Sequence, residues 1–352
     1  MTHCVYFAYP GDLEAKTGGY GYDRRIISEL RKLGWDVSLI PLGGGFPFPD
    51  PETLSEAEKT LGALAQNSLV LVDGLAYGTF GEIASRLAHR LTLVALVHHP
   101  LASEGNVSAQ ETTALVNSEQ LALAYANAIF VTSSSTRQQL IENYDVPEDK
   151  IVVAIPGTER GIRSPRQSKI PHILSIGSII PRKGHDVLVS ALAKIADMPW
   201  NCSIVGNRTM DVDYDTALQR QIIENQLTDR IVLTGQINDT RSEFARSDIF
   251  ALASRYEGYG MVFAEALSHG LPIIACSAGA VPEVVPEDAG ILVPPDDPDA
   301  FASALRRTIQ DSNFADRMAD ASFRHGQSLP QWVDTAKLFS AALQKTANNE
   351  RI

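Results

Sequence analysis

"ALASRYEGYGMVFAEALSHGLPIIACSAGAVPEVV", residues 251–285, decides how this chain is read. "IFALAS" (249–254) is a short apolar run, "RYEGYG" (255–260) is glycine-rich, "MVFAEALSHG" (261–270) has helical spacing, and "LPIIACS" (271–277) is a second apolar run. The pattern predicts a strand, a turn, a helix closed by Gly270 and a further strand. Glu257 then lies in the turn beyond a strand, and Glu265 about one turn inside the helix. Gly258 and Gly260 let the backbone approach a ligand closely, and the helix N-terminus offers N–H groups to an anion. A carboxylate only accepts hydrogen bonds, so it suits the paired hydroxyls of a ribose or hexose. Two acids flanking an anion site fit a phosphate with a sugar on either side, which is a nucleotide sugar. The plainer alternative is a helix-supporting Glu265 and a solvated Glu257.

Similar apolar runs recur on both sides of this stretch. "CVYFAY" (4–9), "DVSLIPL" (36–42), "SLVLVDG" (68–74), "LTLVALVHH" (91–99), "AIFVTSS" (128–134) and "KIVVAIPG" (150–157) form one series. "HILSIGSI" (172–179), "NCSIVG" (201–206), "RIVLTG" (230–235) and "GILVPP" (290–295) complete a second. Strands alternating with helical segments predict an α/β chain of two Rossmann-like, doubly wound parallel sheets. The polar "TERGIRSPRQSKIP" (158–171) reads as a linker, with the boundary near Gln167. The expected domains are 1–166, 167–330, and a helical segment 331–352 that packs on the N-terminal lobe through Trp332, Ala336, Phe339 and Leu343. Residues 348–352 are expected to fray. Ligands of open parallel sheets sit beyond the carboxyl ends of the strands, so the two sheets are expected to face each other across a binding cleft.

The 352 residues are 44% hydrophobic, enough for a core in each domain, and the net charge of -12 is spread over both halves. That acidity argues against nucleic-acid binding. Cys4, Cys202 and Cys276 lack metal spacing and are expected to be buried thiols in a reducing cytoplasm. "MTHCVYFAY" lacks the features of a signal peptide, and no apolar stretch approaches a membrane span. The expected location is cytoplasmic, with attachment to the inner membrane surface as the alternative.

"ILSIGSIIPRKGHDVLVSAL" (173–192) predicts a strand, a turn carrying Arg182 and Lys183, and a helix. Adjacent cations there suit a pyrophosphate, against the alternative of solvated loop charges. With this element in place the second half resembles the retaining glycosyltransferases of the large GT-B family that includes sucrose synthase, bacterial glycogen synthase-like enzymes and mannosyltransferases of lipid and polysaccharide assembly. The likeness runs through "IGSIIPRKGHDVLVSAL", "LTGQINDT" (233–240), residues 247–285 and "GILVPPDD" (290–297).

The resemblance implies that Glu265 accepts from the ribose hydroxyls and that Glu257 lies beside the transferred hexose. It implies backbone contacts from Gly258, Tyr259, Gly260 and Met261 to sugar and distal phosphate, Arg182 and Lys183 on the pyrophosphate, and Ile237 at the base. The family often has an arginine where this chain has Ser178, so Arg182 has to supply that charge from four residues later. In "AKTGGYGYDRRIISEL" (15–30) it implies a glycine loop whose Gly18 and Gly19 reach the donor phosphate, an ordinary strand-to-helix turn being the alternative. Arg24, Arg25, Arg31 and Lys32 on the following helix read as a solvated face, with anionic lipid as the alternative.

"LVALVHHP" (93–100) ends a buried strand on two histidines that point opposite ways. The resemblance implies that one of them bonds the transferred sugar, and His98 is preferred to His99. No third metal ligand is apparent nearby in sequence. "DVDYD" (211–215) contains an Asp-x-Asp that marks metal-dependent glycosyltransferases of another fold. Here it precedes a helical segment, and Asp213 and Asp215 read as capping and first-turn acids. The expected activity is metal-independent, cofactor-free transfer of a hexose, with retention, from a nucleoside diphosphate sugar to a carbohydrate or lipid-linked acceptor. UDP is preferred to GDP or ADP. The alternatives are a nucleotide-sugar epimerase or hydrolase and a non-catalytic binding subunit.

Overall fold

The structure is a computed structural model describing residues 3–103, 108–166 and 168–348. The chain divides into two compact units, Met1–Gly157 with Pro330–Ile352, and Thr158–Leu329.

In the first unit, strands β1 (Cys4–Tyr9), β2 (Asp36–Pro41), β3 (Ser68–Asp73), β4 (Leu91–Val97), β5 (Ala128–Val131) and β6 (Ile151–Val153) form one parallel sheet in the order β2-β1-β3-β4-β5-β6. β5 reads as an unbroken apolar run, and β4 as one interrupted only by Thr92, because helices cover both faces of the sheet. In the second unit, β7 (His172–Ile176), β8 (Asn201–Val205), β9 (Ile231–Gly235), β10 (Ile249–Leu252), β11 (Ile273–Cys276) and β12 (Gly290–Val293) form another, ordered β12-β11-β10-β7-β8-β9. Both sheets are of the doubly wound kind expected. Strand order reverses between β1 and β3 in the first and between β7 and β10 in the second. Such reversals open a crevice at the carboxyl ends, because the crossovers on either side leave in opposite directions.

By these contacts the units divide at 157/158, upstream of the expected 166/167; Gln167 itself lies outside the described residues. Residues 158–166 are polar because they hydrogen-bond to the second unit. Arg160 Nη1 donates to the Gly326 carbonyl (2.8 Å), Ser164 Oγ to the Ser247 carbonyl (2.6 Å) and Arg166 Nε to the Asp248 carbonyl (3.0 Å).

The helix Trp332–Ala347 returns to the first unit. Phe339, fully buried, stacks on Phe130 of β5 with ring centroids 3.8 Å apart. Thr335 Oγ1 donates to the Ile155 carbonyl (2.8 Å), and Trp35 Nε1 donates to Ser340 Oγ (2.9 Å). Residues 349–352 of the segment expected to fray lie outside the described residues. Cys202 and Cys276 are buried, whereas Cys4 is exposed, since it starts β1 at the margin of the sheet with its sulfur toward Asp36 of β2. Among the described residues no helix is long and apolar enough to cross a membrane.

Phe339→Ala should remove about 3–5 kcal/mol of stability, since it deletes a fully buried ring and leaves a cavity. Denaturant unfolding followed by far-ultraviolet circular dichroism measures this; a loss under about 1 kcal/mol would contradict the packing of this helix into the core.

Candidate functional site

In the second unit the expected residues meet at the β7/β10 reversal. β7 leads through Gly177 and Ser178 into a short 3-10 turn, Pro181–Lys183, and then the helix His185–Ala193. Gly184 joins the two at φ +62°, and a Cβ built there would stand 1.9 Å from the Ala253 carbonyl oxygen, so only glycine lets the turn press onto the end of β10. Arg255 fixes the turn from outside. Its guanidinium donates to both carboxylate oxygens of Asp186 (3.0 and 2.8 Å), to Asp296 (2.7 Å) and to the Pro181 carbonyl, and its N–H donates to the Arg182 carbonyl (2.8 Å).

Lys183 Nζ, so placed, donates to Glu257 Oε1 (2.7 Å) and Oε2 (2.9 Å). Ser254 Oγ donates to Oε1 (2.6 Å), and Arg182 Nη1 lies 3.8 Å from Oε2 while donating to the Tyr256 carbonyl (3.2 Å). Glu257 is only 4% exposed. Burial alone would raise its pKa, but the Lys183 and Arg182 charges with the Lys183 and Ser254 hydrogen bonds outweigh it and hold the carboxyl below the ordinary range. The Glu257 backbone is held as well. Its carbonyl accepts from Ala280 N–H (2.9 Å), and Gly279, at φ +56°, passes so close that a Cβ would lie 2.2 Å from that oxygen.

Gly258 and Tyr259 are buried and Gly260 is half-buried; the helix Met261–Ser268 begins after Gly260 with no side-chain cap. Phe263 N–H donates to the Gly260 carbonyl (2.9 Å), and the Met261 and Val262 N–H groups before it are left to other acceptors. Glu265 is half-buried, one turn in, and Gly270 ends the helix region at φ +70°. Ile237, beyond β9, packs partly buried against the core under β7 and β10. "DVDYD" is resolved into separate tasks: Asp211 caps the helix Val212–Glu224 by accepting from Tyr214 N–H (2.9 Å), Asp215 pairs with Arg208 (2.8 and 2.9 Å), and Asp213 is exposed.

In the first unit the expected glycine loop is the first turn of a helix. Gly18 starts the helix Gly18–Lys32, because Thr17 caps it with Oγ1 toward Tyr20 N–H (3.4 Å). Gly19 lies in that turn against the His98 ring. Arg24 and Arg31 donate to backbone carbonyls of the same unit and Lys32 pairs with Glu29 at 2.6 Å, so these cations have partners within the fold.

His98 follows β4 and meets two carboxylates that the sequence reading missed. Its Nε2 lies 3.1 Å from Asp23 Oδ1 and 3.6 Å from Asp73 Oδ2. The three ligand atoms lie within 4.8 Å of one another, close enough for a cation or a proton to bind them together. Asp73 sat in plain view as the acid ending "SLVLVD". Asp23 was betrayed by spacing, since 23, 26, 27 and 30 are one helix face and the other three are apolar. This cluster flanks the β1/β3 reversal of its own sheet.

The model of the family described as Glycosyl transferases group 1 matches residues 170–311. A D-inositol 3-phosphate glycosyltransferase of Corynebacterium glutamicum (strain R) is 27% identical over 258 residues, 66% of this chain and 61% of that protein. The chain spans about three fifths of the length of several such curated relatives. Among solved structures, a sucrose-phosphate synthase from Thermosynechococcus elongatus superposes with a TM-score of 0.83 at 21% identity, covering 99% of this chain and all of the other. Anabaena HepE in complex with UDP-glucose gives 0.77 at 21% identity over 97% and 99%.

Lys183→Met should destabilise the protein by about 3 kcal/mol at pH 7 by stranding a buried carboxylate, and adding Glu257→Gln should recover most of that. The native Glu257 contribution is present above the ordinary carboxylate pKa and lost as pH falls through its lowered folded value. The Lys183→Met deficit should accordingly shrink in acid, where Glu257 protonates. Urea unfolding at both pH values checks this, and an equal deficit at both, or no recovery in the double variant, would contradict the pairing.

The two sheets give the chain the GT-B fold, and its residues 170–311 match the model of the family described as Glycosyl transferases group 1.

Proposed function

We propose that the chain is a retaining, metal-independent glycosyltransferase that moves a hexose from a nucleoside diphosphate sugar, UDP-linked in preference, to an acceptor hydroxyl of a carbohydrate or lipid-linked substrate. The observation that carries this reading is the buried Arg182–Lys183–Glu257 cluster at the strand-order reversal of the second unit, inside the segment that matches the family. HepE, a protein of the same fold, is described in complex with UDP-glucose, which supports the choice of donor class.

In this reading Glu257 stays ionised and accepts hydrogen bonds from sugar hydroxyls, because its neighbours favour the anion. An ammonium has three donors, so Lys183 can hold Glu257 and a phosphate oxygen together. Arg182 and the first N–H groups of the helix Met261–Ser268 meet the rest of the diphosphate, whose charge grows as the glycosidic bond breaks. Gly258, Tyr259, Gly260 and Met261 contribute backbone contacts, Glu265 takes the ribose and Ile237 lies by the base. In the first unit Gly18, Gly19 and His98 serve the donor's phosphate and sugar. No side chain of the cluster is a free nucleophile, which favours attack on the face the leaving phosphate vacates, with that phosphate taking the acceptor's proton.

Incubation with UDP-sugars and a panel of acceptor glycosides, followed by proton NMR of the anomeric signals, tests the reading. The donor's anomeric configuration should reappear in the product, and consumption should depend on acceptor. Glu257→Gln should lower the rate about a hundredfold while leaving donor binding largely intact. Inverted product, or donor hydrolysis at the same rate without acceptor, would overturn the proposal.

A further inference from the structure

The helix Gly18–Lys32 turns Asp23, Ile26, Ile27 and Leu30 inward, and Asp23 is fully buried. A buried carboxylate costs stability unless its charge is met, and an apolar residue would complete this stripe without that cost. Asp23 Oδ1 meets His98 Nε2 at 3.1 Å, whereas Oδ2 is buried with no hydrogen-bond partner among the described residues. Asp73, at the end of β3, approaches the same nitrogen at 3.6 Å while its Oδ1 accepts from Leu75 N–H (2.8 Å). A ring nitrogen set between two carboxylates shares a proton with them; burial and the Asp73 charge raise Asp23 to about 7, below the value His98 reaches, so the proton stays on the ring.

The rest of the surroundings orients the ring. A Cβ on Gly19 would stand 3.3 Å from His98 Cδ2 and 3.5 Å from Nε2, so that edge lies against the first turn of the helix. Thr132 Oγ1 donates to the His98 carbonyl (3.0 Å). The opposite edge carries Nδ1, which no described residue bonds, and the side chain is 19% exposed. Two phenols of this helix turn stand nearby: Tyr22 sits edge-on to His98 at 5.3 Å and donates to the Ala154 carbonyl, and Tyr20 donates to the Pro10 carbonyl, while the adjacent Arg24 donates to the Ala15 carbonyl (2.9 Å). Burial alone would lower the His98 pKa, but Asp23 and Asp73 raise it to about 10.

We propose that Asp23 is a positioning residue which, with Asp73, holds His98 as an imidazolium, its Nε2–H turned inward and its Nδ1–H presented outward as a hydrogen-bond donor to an oxygen of the sugar nucleotide. This rests on the reading of His98 as part of the transfer site. It makes His98 a fixed donor and leaves it no lone pair with which to act as a general base.

The test is NMR of the imidazole nitrogens of the full chain, with EDTA and without nucleotide, across pH. At pH 8, above the ordinary histidine value of about 6.5, both His98 nitrogens should still be protonated. Asp23→Asn keeps the shape and an acceptor but removes the charge, so the His98 midpoint should fall by about one pH unit or more. In the transfer assay the same variant should lose roughly 10- to 100-fold in kcat, the worth of one charge-assisted hydrogen bond, and the alkaline limb of its pH profile should move down. A neutral His98 at pH 8 in the native protein, or a midpoint unmoved in Asp23→Asn, would overturn the proposal. Should Asp23→Asn fail to fold, the native titration and Asp23→Ser decide it. Because the titration needs no nucleotide, a protonated His98 in a protein that transfers no sugar would count against the transfer reading alone.

Discussion

A carboxylate buried as deeply as Glu257 stays ionised only where cations and donors replace the water it has lost. That constraint organises the second unit. Lys183 has to reach Glu257, so the turn after β7 has to lie on the end of β10, and Gly184 and Arg255 are what let it lie there. The strands that bring the two loops together are the pair at which strand order reverses, where crossovers diverge and the crevice opens. A buried charge pair of this kind need contribute little net stability of its own, and in the proposed function it fixes where the phosphates and hydroxyls of the donor are received.

The first unit answers the same constraint with the signs reversed. There two carboxylates, Asp23 and Asp73, surround one imidazole, and the histidine supplies the cation. Each sheet thus carries, beside its own reversal, a compact set of titratable groups whose pKa values are moved by their neighbours. Preorganised charge of this kind acts on a substrate without reorganising during the reaction.

Much of this was legible in the sequence for local reasons. Residues 249–277 announce strand, turn, helix and strand through runs of apolar residues and Gly270, because those signals act within a few residues of the chain. Arg182, Lys183 and Glu257 could be singled out since each follows a strand, and the structure brings the three together. Less legible were features that depend on distant partners. Asp23, Asp73 and His98 come from three elements and converge only once β1, β3 and β4 are neighbours. Gly18 and Gly19 read as a loop because glycine weakens helices, yet the Thr17 cap starts the helix at Gly18. The segment 158–166 looked like a linker, since polarity directed at solvent and polarity directed at backbone carbonyls of the second unit have the same composition.

In the proposed function the Arg182–Lys183–Glu257 cluster receives the diphosphate of a sugar nucleotide without a metal. Calorimetric titration of the purified protein with UDP, GDP and ADP, in EDTA and then in magnesium, tests it most directly. Saturable binding of one nucleotide, UDP by preference, is expected in EDTA and should be unchanged by magnesium. Absence of binding to all three under both conditions would contradict it, and binding that requires magnesium would overturn its metal independence.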